Sequence, residues 1–438
     1  MIFQKLPFLG SPQDPMRLLV DFCELILDIW SRCLEEKYYQ PLFDLTALIS
    51  FILQLNTISV APYIISTLLP IVQATIYLVG VPRFNSIDGD LSNHPDPAVR
   101  QLYLDIDVDG AMQLLYLSAL GCMSAPRGSE QFDDPPSQGS IRSAFWRLMQ
   151  IDFVLMMLSP KQPAEDFLGI LSLLSTSSLV DSIGPISDDS TYDRALIART
   201  LIDRLSFQLN DPPRWAMSDA ASRGKCQPPR TSFHHKQCVA RLAILRTFMA
   251  FAQSPFGALQ LASSDVAIPR MVTVLSAAID ALYDMDNSSS LLSSATAIET
   301  RKQDNAAQDT TLDPEQTQDQ RGNQDRPADE VESDAQATEV EPDPMPLILK
   351  IISSTTLLLH TLITDPATSP HANIAAKLAA SHGGSQRYQI ALARLNFAEE
   401  DLVLEAGIDA DTGERANELL ELFVTPDDGE GVVEVFGL

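Results

Sequence analysis

Apolar residues recur at three- and four-residue spacing through most of this chain, and this periodicity limits the possible folds more than any other feature. Leu, Ala, Ile and Met dominate the patterned stretches, whereas runs that alternate apolar and polar residues are few. Spacing of three and four places apolar side chains on one face of an α-helix, and a half-buried strand would need strict alternation. The sequence therefore predicts an all-α protein.

The patterned stretches are separated by segments rich in Pro, Gly, Ser and Asp, which predict loops. Pairs of helices recur about every 40 to 50 residues, a spacing typical of armadillo and HEAT repeats. A solenoid grows without adding separate cores, so one solenoid can account for a chain of 438 residues. We expect helices over residues 15–36, 41–55, 60–79, 109–124, 140–158, 164–175, 191–209, 239–252, 255–261, 268–283, 345–362 and 411–423.

Residues 286–344 differ from the rest of the chain because they are rich in Ser, Thr, Gln, Ala and acidic residues, with almost no large apolar side chain. Such a segment cannot bury enough surface to offset the entropy of ordering, so we expect a long disordered acidic linker. It serves either as a tether or as an acidic docking or phosphorylation segment. The predicted organisation is an N-terminal tail at 1–14, a helical-repeat domain at 15–285, the linker at 286–344, and a C-terminal helical segment at 345–438 that packs on the repeats.

No charged residue occurs between Asp44 and Arg83, and Val60–Val81 is long and apolar enough to raise the question of a membrane span. Prolines, which leave a backbone carbonyl without a hydrogen bond, and glutamines, which bring polar amides, would lie at membrane depth, where unsatisfied polar groups are costly. A repeat helix covered by neighbours on all sides has a similar composition. We therefore expect two buried helices, joined at Asn56–Ser59, and no membrane as a partner.

The charge balance also limits the partners. The chain has 58 acidic and 30 basic residues, a net charge of −28, which argues against direct coating of nucleic acid. Five scattered cysteines suit reduced thiols inside the cell better than a disulfide framework. A basic island could meet nucleic acid or an acidic partner, or could be a solubilising loop. It comprises Arg214, Arg223, Lys225, Arg230, Lys236, Arg241 and Arg246.

Candidate chemical motifs in the sequence are incomplete. Asp105–Gly110 begins like a calcium loop, but Tyr116 stands at the twelfth position, where a bidentate Glu belongs. Four residues have zinc-ligand chemistry at a spacing that matches no common structural site: Cys226, His234, His235 and Cys238. Nucleophile-elbow, phosphate-loop and zinc-hydrolase motifs do not occur. We therefore expect no catalytic site, no metal, no cofactor and no small-molecule substrate.

Several blocks of sequence resemble the C-terminal helical-repeat region of the ATR-interacting protein family, in its filamentous-fungal form. They are Ser31–Tyr39, Ser254–Gly257, Ala267–Arg270, Leu395–Leu402 and Thr425–Glu430. The Ala267–Arg270 block also looks like the start of the third helix of an armadillo repeat. The resemblance implies a non-catalytic nuclear adaptor in DNA-damage signalling. Such an adaptor binds the large checkpoint kinase ATR and brings it to single-stranded DNA coated with replication protein A.

The chain departs from this family at its N-terminal end. Family proteins carry an acidic recruitment motif and a coiled coil ahead of the repeats, whereas this chain has no sustained heptads and enters its repeats by residue 15. We therefore expect the scaffold to be the C-terminal portion of something larger. An armadillo or HEAT adaptor in transport or trafficking is the alternative, although the surface Asn and Trp ladder that it requires is missing. The residues expected to be needed for kinase binding or activation are Leu395, Phe397, Leu402, Leu420 and Phe423.

Overall fold

The structure is a computed structural model that describes residues 15–87, 89–124, 141–187, 193–213, 215, 235–283, 343–381, 383–396 and 407–423. These residues form helices and turns, and no strand occurs among them. The helices are α1 (Pro15–Glu35), α2 (Leu42–Asn85), α3 (Pro97–Asp105), α4 (Val108–Ser124), α5 (Ile141–Leu148), α6 (Ile151–Met157), α7 (Ala164–Leu174), α8 (Arg194–Asn210), α9 (His235–Ala252), α10 (Pro255–Ser263), α11 (Ala267–Tyr283), α12 (Met345–Thr364), α13 (Ser369–Ala372), α14 (Ile374–Ala380), α15 (Gly384–Asn396) and α16 (Ala410–Glu421).

One row of packed helices runs through the fold. In order, α1 packs on α2, α2 on α4, α4 on α7, α7 on α9, α9 on α12, α12 on α16, and α16 on α15. Shorter helices flank the row, with α3, α5 and α6 against α2, and with α8 and α10 against α9. This successive pairing is the arrangement of a helical solenoid and confirms the predicted fold class. The predicted acidic linker lies, through residue 342, outside the described residues.

The predicted pair of helices at 41–79 is one long element. Helix α2 continues from Leu42 to Asn85, and Asn56 alone leaves helical geometry, with φ −140° and ψ 44°. Next to this kink, the Thr57 hydroxyl donates to the carbonyl of Leu53, which keeps that carbonyl hydrogen-bonded. The expected four-residue turn at Asn56–Ser59 was therefore wrong, because the helix resumes immediately after the kink.

The helix expected over 140–158 is divided into α5 and α6. At the break, the buried Gln73 side chain of α2 replaces the missing intrahelical bonds. Its amide nitrogen donates to the carbonyl of Leu148 at 3.2 Å, and its amide oxygen accepts from the backbone N–H of Gln150 at 3.2 Å. Two orphan backbone groups are thus satisfied by one side chain. A single buried glutamine therefore makes the break tolerable, and this contact over 70 residues of sequence has no local signal.

Helix α10 begins at a tightly built corner. The Ser254 hydroxyl accepts from the backbone N–H of Gly257 at 3.0 Å and so caps the helix, while Pro255 occupies its first turn. A Cβ added to Gly257 would lie 2.3 Å from the carbonyl oxygen of Phe251, so the corner has no space for a side chain there. Helices α10 and α11 are then bent by 79° relative to each other.

The C-terminal helices are bonded to the repeats at several points. The Lys377 ammonium of α14 donates to the carbonyl of Ala262 near the end of α10. A cation at this position is also stabilised by the negative end of the helix dipole. On α15, Arg387 donates to the Thr273 hydroxyl of α11 at 3.2 Å. Helix α12 itself packs on α9, so it completes the row of repeats as well as supporting α16.

Length and composition alone would allow two described helices, α2 and α12, to cross a membrane, and the bent pair α10 and α11 passes the same test together. In the most apolar window of α2, 56% of the residues are buried within the protein, and in that of α12 the share is 50%.

Candidate partner-binding surface

The most distinctive surface of the described residues is an apolar ridge on α2. Phe43, Phe51 and Leu55 recur at multiples of four residues, so they share a face that winds slowly around the helix, and Ile58 follows the kink. Their exposed fractions are 57%, 58%, 65% and 48% in that order. We call these four residues the α2 ridge.

The α2 ridge exposes a sizeable apolar area. At about 200 Å² for each side chain, its exposed area is on the order of 400 Å². Apolar patches of this size on a protein surface are often functional. The opposite face of the same helix segment is well buried, with Ile49 and Leu53 at 0% exposure. One face of this segment of α2 therefore packs inside the protein, and the ridge on its other face stays exposed.

The expectation that the uncharged segment is covered on all sides was wrong. Helix α2 packs on α1 and α4, with α3, α5 and α6 also against it, and these neighbours leave the ridge face open. The absence of charge describes the chemistry of both faces of the helix, and it does not indicate how much of each face is covered by neighbours. The signal for the ridge was present in the sequence, since Phe43, Ala47, Phe51 and Leu55 form a second four-residue series beside the core series.

The ridge lies in the segment of the chain with the fewest charged residues. Asp44 lies at its N-terminal end, and the next charged residue of the chain is Arg83. On α1, the exposed or partly exposed charged side chains include two basic residues within i,i+4 ion pairs, Arg17 with Asp21 and Arg32 with Asp28. Glu35, Glu36 and Lys37 lie at the end of α1 and are all exposed. The ridge thus lies in an uncharged strip that begins directly after the exposed Asp44.

The described residues of the predicted C-terminal interaction set are packed among the helices. Leu395 is 4% exposed, Leu420 is partly buried, and the Phe423 ring meets the buried Tyr388 ring edge-on at a centroid distance of 5.0 Å. The ring contact joins α15 to the end of α16, and these two helices pack on each other. Phe397 and Leu402 lie outside the described residues. The importance of this set for a partner stays a prediction.

A cavity lies beside the C-terminal end of α2, lined in part by Arg83, Tyr103, Lys161 and Trp215. Its basic groups are already bonded within the protein. Arg83 donates to Asp166 at 2.5 Å, and the Lys161 ammonium donates to the backbone carbonyls of Phe84 and Ser86. The cavity is therefore a gap between α2, α3 and the start of α7, and its basic groups are not available to bind an anion.

Asp166 is a buried carboxyl with a perturbed proton affinity. Burial raises its pKa to about 6, and the adjacent Arg83 guanidinium opposes that rise. Both side chains are nearly inaccessible, with exposed fractions of 5% for Asp166 and 7% for Arg83. Arg83 also lies over the ring of Tyr103, 5.3 Å from its centroid. The pair links α2 to α7 across the interior.

The candidate metal motifs have structural roles where they are described. The Asp107 carboxylate accepts from the backbone N–H of Gly110 at 3.0 Å, at the start of α4. No group of three His, Cys, Asp or Glu residues suited to a metal occurs within the described ranges. Cys238 is fully buried in α9, while Cys226 and His234 lie outside those ranges.

Three residues of the predicted basic island, Lys236, Arg241 and Arg246, lie within the described part of the chain. Arg214 and residues 216–234 lie outside the described part of the chain. Arg241 is buried, and its guanidinium donates to the carbonyls of Leu209 and Asn210 at the end of α8. Burial lowers its pKa to about 10. Its inclusion in an exposed island was wrong, because it satisfies carbonyls that a helix end leaves without partners.

Comparison with known proteins places this architecture in one family. The family model described as Rad26-like, helical repeats, matches residues 71–363, and the model described as Rad26-like, C-terminal domain, matches residues 372–436. The solved structure of Myceliophthora thermophila Rad26 (residues 373-841) is 45% identical, with a TM-score of 0.74. The match covers 97% of this chain and 92% of that chain. No curated protein matched in a separate comparison. The chain belongs to the Rad26-like family of helical-repeat proteins.

Proposed function

We propose that this chain is a non-catalytic scaffold that binds an ATR-type DNA-damage checkpoint kinase and supports the recruitment or activation of that kinase. The observation that carries the proposal is the similarity to Rad26 at 45% identity over 97% of the chain. The resemblance of the sequence to the ATR-interacting protein family provides the kinase as the partner. Both helical-repeat and C-terminal family models match, so the proposal concerns the body of the protein and not an isolated repeat.

The architecture suits such a role. A continuous row of helices provides a long surface, and extended surfaces of stacked helices are used to bind large partners. Recruitment to single-stranded DNA would pass through replication protein A and not through direct DNA contact, because a chain of net charge −28 has no positive footprint for phosphates. The site of action would be the nucleus, without a membrane.

Reconstitution with the purified kinase from the same genome tests the proposal. We expect the full chain to co-purify with the kinase and to increase its activity on a peptide substrate in the presence of single-stranded DNA coated with replication protein A. A folded chain that neither binds the kinase nor changes its activity would contradict the proposal. Full-length variants are preferable to a cut at Pro344, since that cut removes α12 from its packing on α9.

A further inference from the structure

The chemistry of the α2 ridge indicates what kind of surface can bind to it. Its side chains offer apolar contact and no hydrogen-bonding groups. The uncharged strip extends from Leu45 to Pro82, in a protein whose other regions carry many acidic groups. A partner that meets the strip gains nothing from its own charges and must desolvate any that it brings. The complementary surface is therefore uncharged and apolar.

The spacing of the ridge indicates a helical partner surface. Phe43 and Phe51 lie two turns apart and Leu55 follows one turn later, so the three lie on a row of four-residue spacing, and helices pack such rows into the grooves of a neighbouring helix. The same helix already packs on α1 and α4. A further helix laid along the ridge would extend the row of repeats by one layer.

We propose that the α2 ridge is the docking surface for a helical-repeat segment of the kinase that presents an uncharged apolar face. This inference rests on the proposed function and gives it a location. The ridge provides about half of the roughly 800 Å² that one partner contributes to a stable interface. The remainder comes from polar positions flanking the strip, as in interfaces with an apolar centre and a polar rim.

Two other occupants fit the ridge less well. A second copy of this chain would bring a second body with a charge of −28 close to the first, so long-range repulsion opposes the association. A lipid bilayer would meet the exposed carboxylate of Asp44, which directly follows Phe43 of the ridge, and membranes with anionic lipids repel such a group. A neutral apolar surface on a separate protein faces neither obstacle.

The test uses the full chain with Phe51→Gln and Leu55→Gln together. Glutamine is a good helix former, and both side chains are more than half exposed, so the fold is expected to remain intact. Leu196→Gln is the matched control, because Leu196 is an exposed apolar residue, at 48%, on the distant helix α8. A second pair, Phe43→Gln with Ile58→Gln, examines the two ends of the ridge. Circular dichroism and thermal unfolding verify that every variant is folded.

The measurement is the Kd of each chain for the purified kinase. We expect each ridge pair to weaken binding by at least about 30-fold, the range of interface hot spots, and the control to change it by less than about threefold. Wild-type binding that persists unchanged in both folded ridge pairs would overturn the inference and leave the proposed function standing. Absence of binding by the wild-type chain would instead overturn both.

Two further measurements distinguish the kinase from a second copy of this chain and from a lipid bilayer as the partner that covers the ridge. Light scattering of the chain alone would reveal a second copy on the ridge as a dimer that the Phe51→Gln and Leu55→Gln pair converts to a monomer. Flotation with phosphatidylcholine vesicles would reveal a bilayer as binding that the same pair abolishes. Either result, together with unchanged kinase binding by the pair, would overturn the inference. A monomeric chain that does not float, with kinase binding lost in the ridge pairs, supports it.

Discussion

Arg83 of α2 and Asp166 of α7 form a buried ion pair, with Nη1 and Oδ2 separated by 2.5 Å. Removal of one partner leaves a charge in the interior with no counter-charge. We expect Asp166→Ala to lower the free energy of unfolding by about 3 to 5 kcal/mol, measured by urea denaturation at pH 7. The double variant Arg83→Met with Asp166→Leu should recover most of that loss. Equal destabilisation by the single and double variants would contradict a buried pair.

The same pair predicts a pH dependence. Burial raises the pKa of Asp166 from 3.8 to about 6, so the folded chain binds this proton more tightly than the unfolded chain does. The resulting stabilisation is complete below about pH 4 and is lost as the pH rises through about 6. We expect the unfolding free energy of the wild type, relative to Asp166→Asn, to fall over this interval. A difference that stays constant or rises would show that the pKa of Asp166 is not raised.

The corner before α10 predicts a steric effect. Gly257→Ala places a methyl group against the carbonyl of Phe251, so we expect a loss of about 1 to 3 kcal/mol in unfolding free energy. Gly413→Ala in α16 is the control, because nothing lies within 4 Å of its added Cβ. This second change should raise stability by about 0.5 to 1 kcal/mol. Similar effects of the two substitutions would argue against the described corner.

The C-terminal helices give a prediction about kinase binding and activation. Leu395 is buried, so Leu395→Ala should lower stability by about 2 to 5 kcal/mol and reduce kinase activation by loosening α15 and α16. Ile390→Gln, on the exposed side of α15, should leave the thermal midpoint of unfolding unchanged. A loss of kinase binding in this variant would therefore indicate direct contact between α15 and the kinase. If the Leu395→Ala chain fully activates the kinase although its C-terminal helices are unfolded, the prediction that these C-terminal residues are needed for kinase activation is wrong.

Local pattern was sufficient to predict most of the helices, and it failed where distant residues decide the outcome. Apolar spacing located α1, α4, α7 and α9 to within a few residues, because each buries one continuous face. The break between α5 and α6 depends on Gln73, and the burial of Arg241 depends on the end of α8. Neither partner is near in sequence, so no periodicity indicates the contact.

The candidate surface was missed for a related physical reason. Composition indicates how much apolar surface a helix has, whereas the number of neighbours determines how much of that surface is covered. Before its kink, helix α2 carries apolar residues on two faces, and its neighbours in the fold cover one of them. The sequence therefore predicted helical structure on both sides of Asn56, and the tertiary packing was needed to show which apolar face stays exposed.

We propose that this Rad26-like chain is the scaffold partner of an ATR-type kinase. The most direct test is size-exclusion chromatography with light scattering on the purified full chain mixed with its purified kinase. We predict one species heavier than the kinase alone that contains both proteins at a fixed ratio. Separate elution of the two folded proteins, at their individual masses and at micromolar concentration, would contradict the claim.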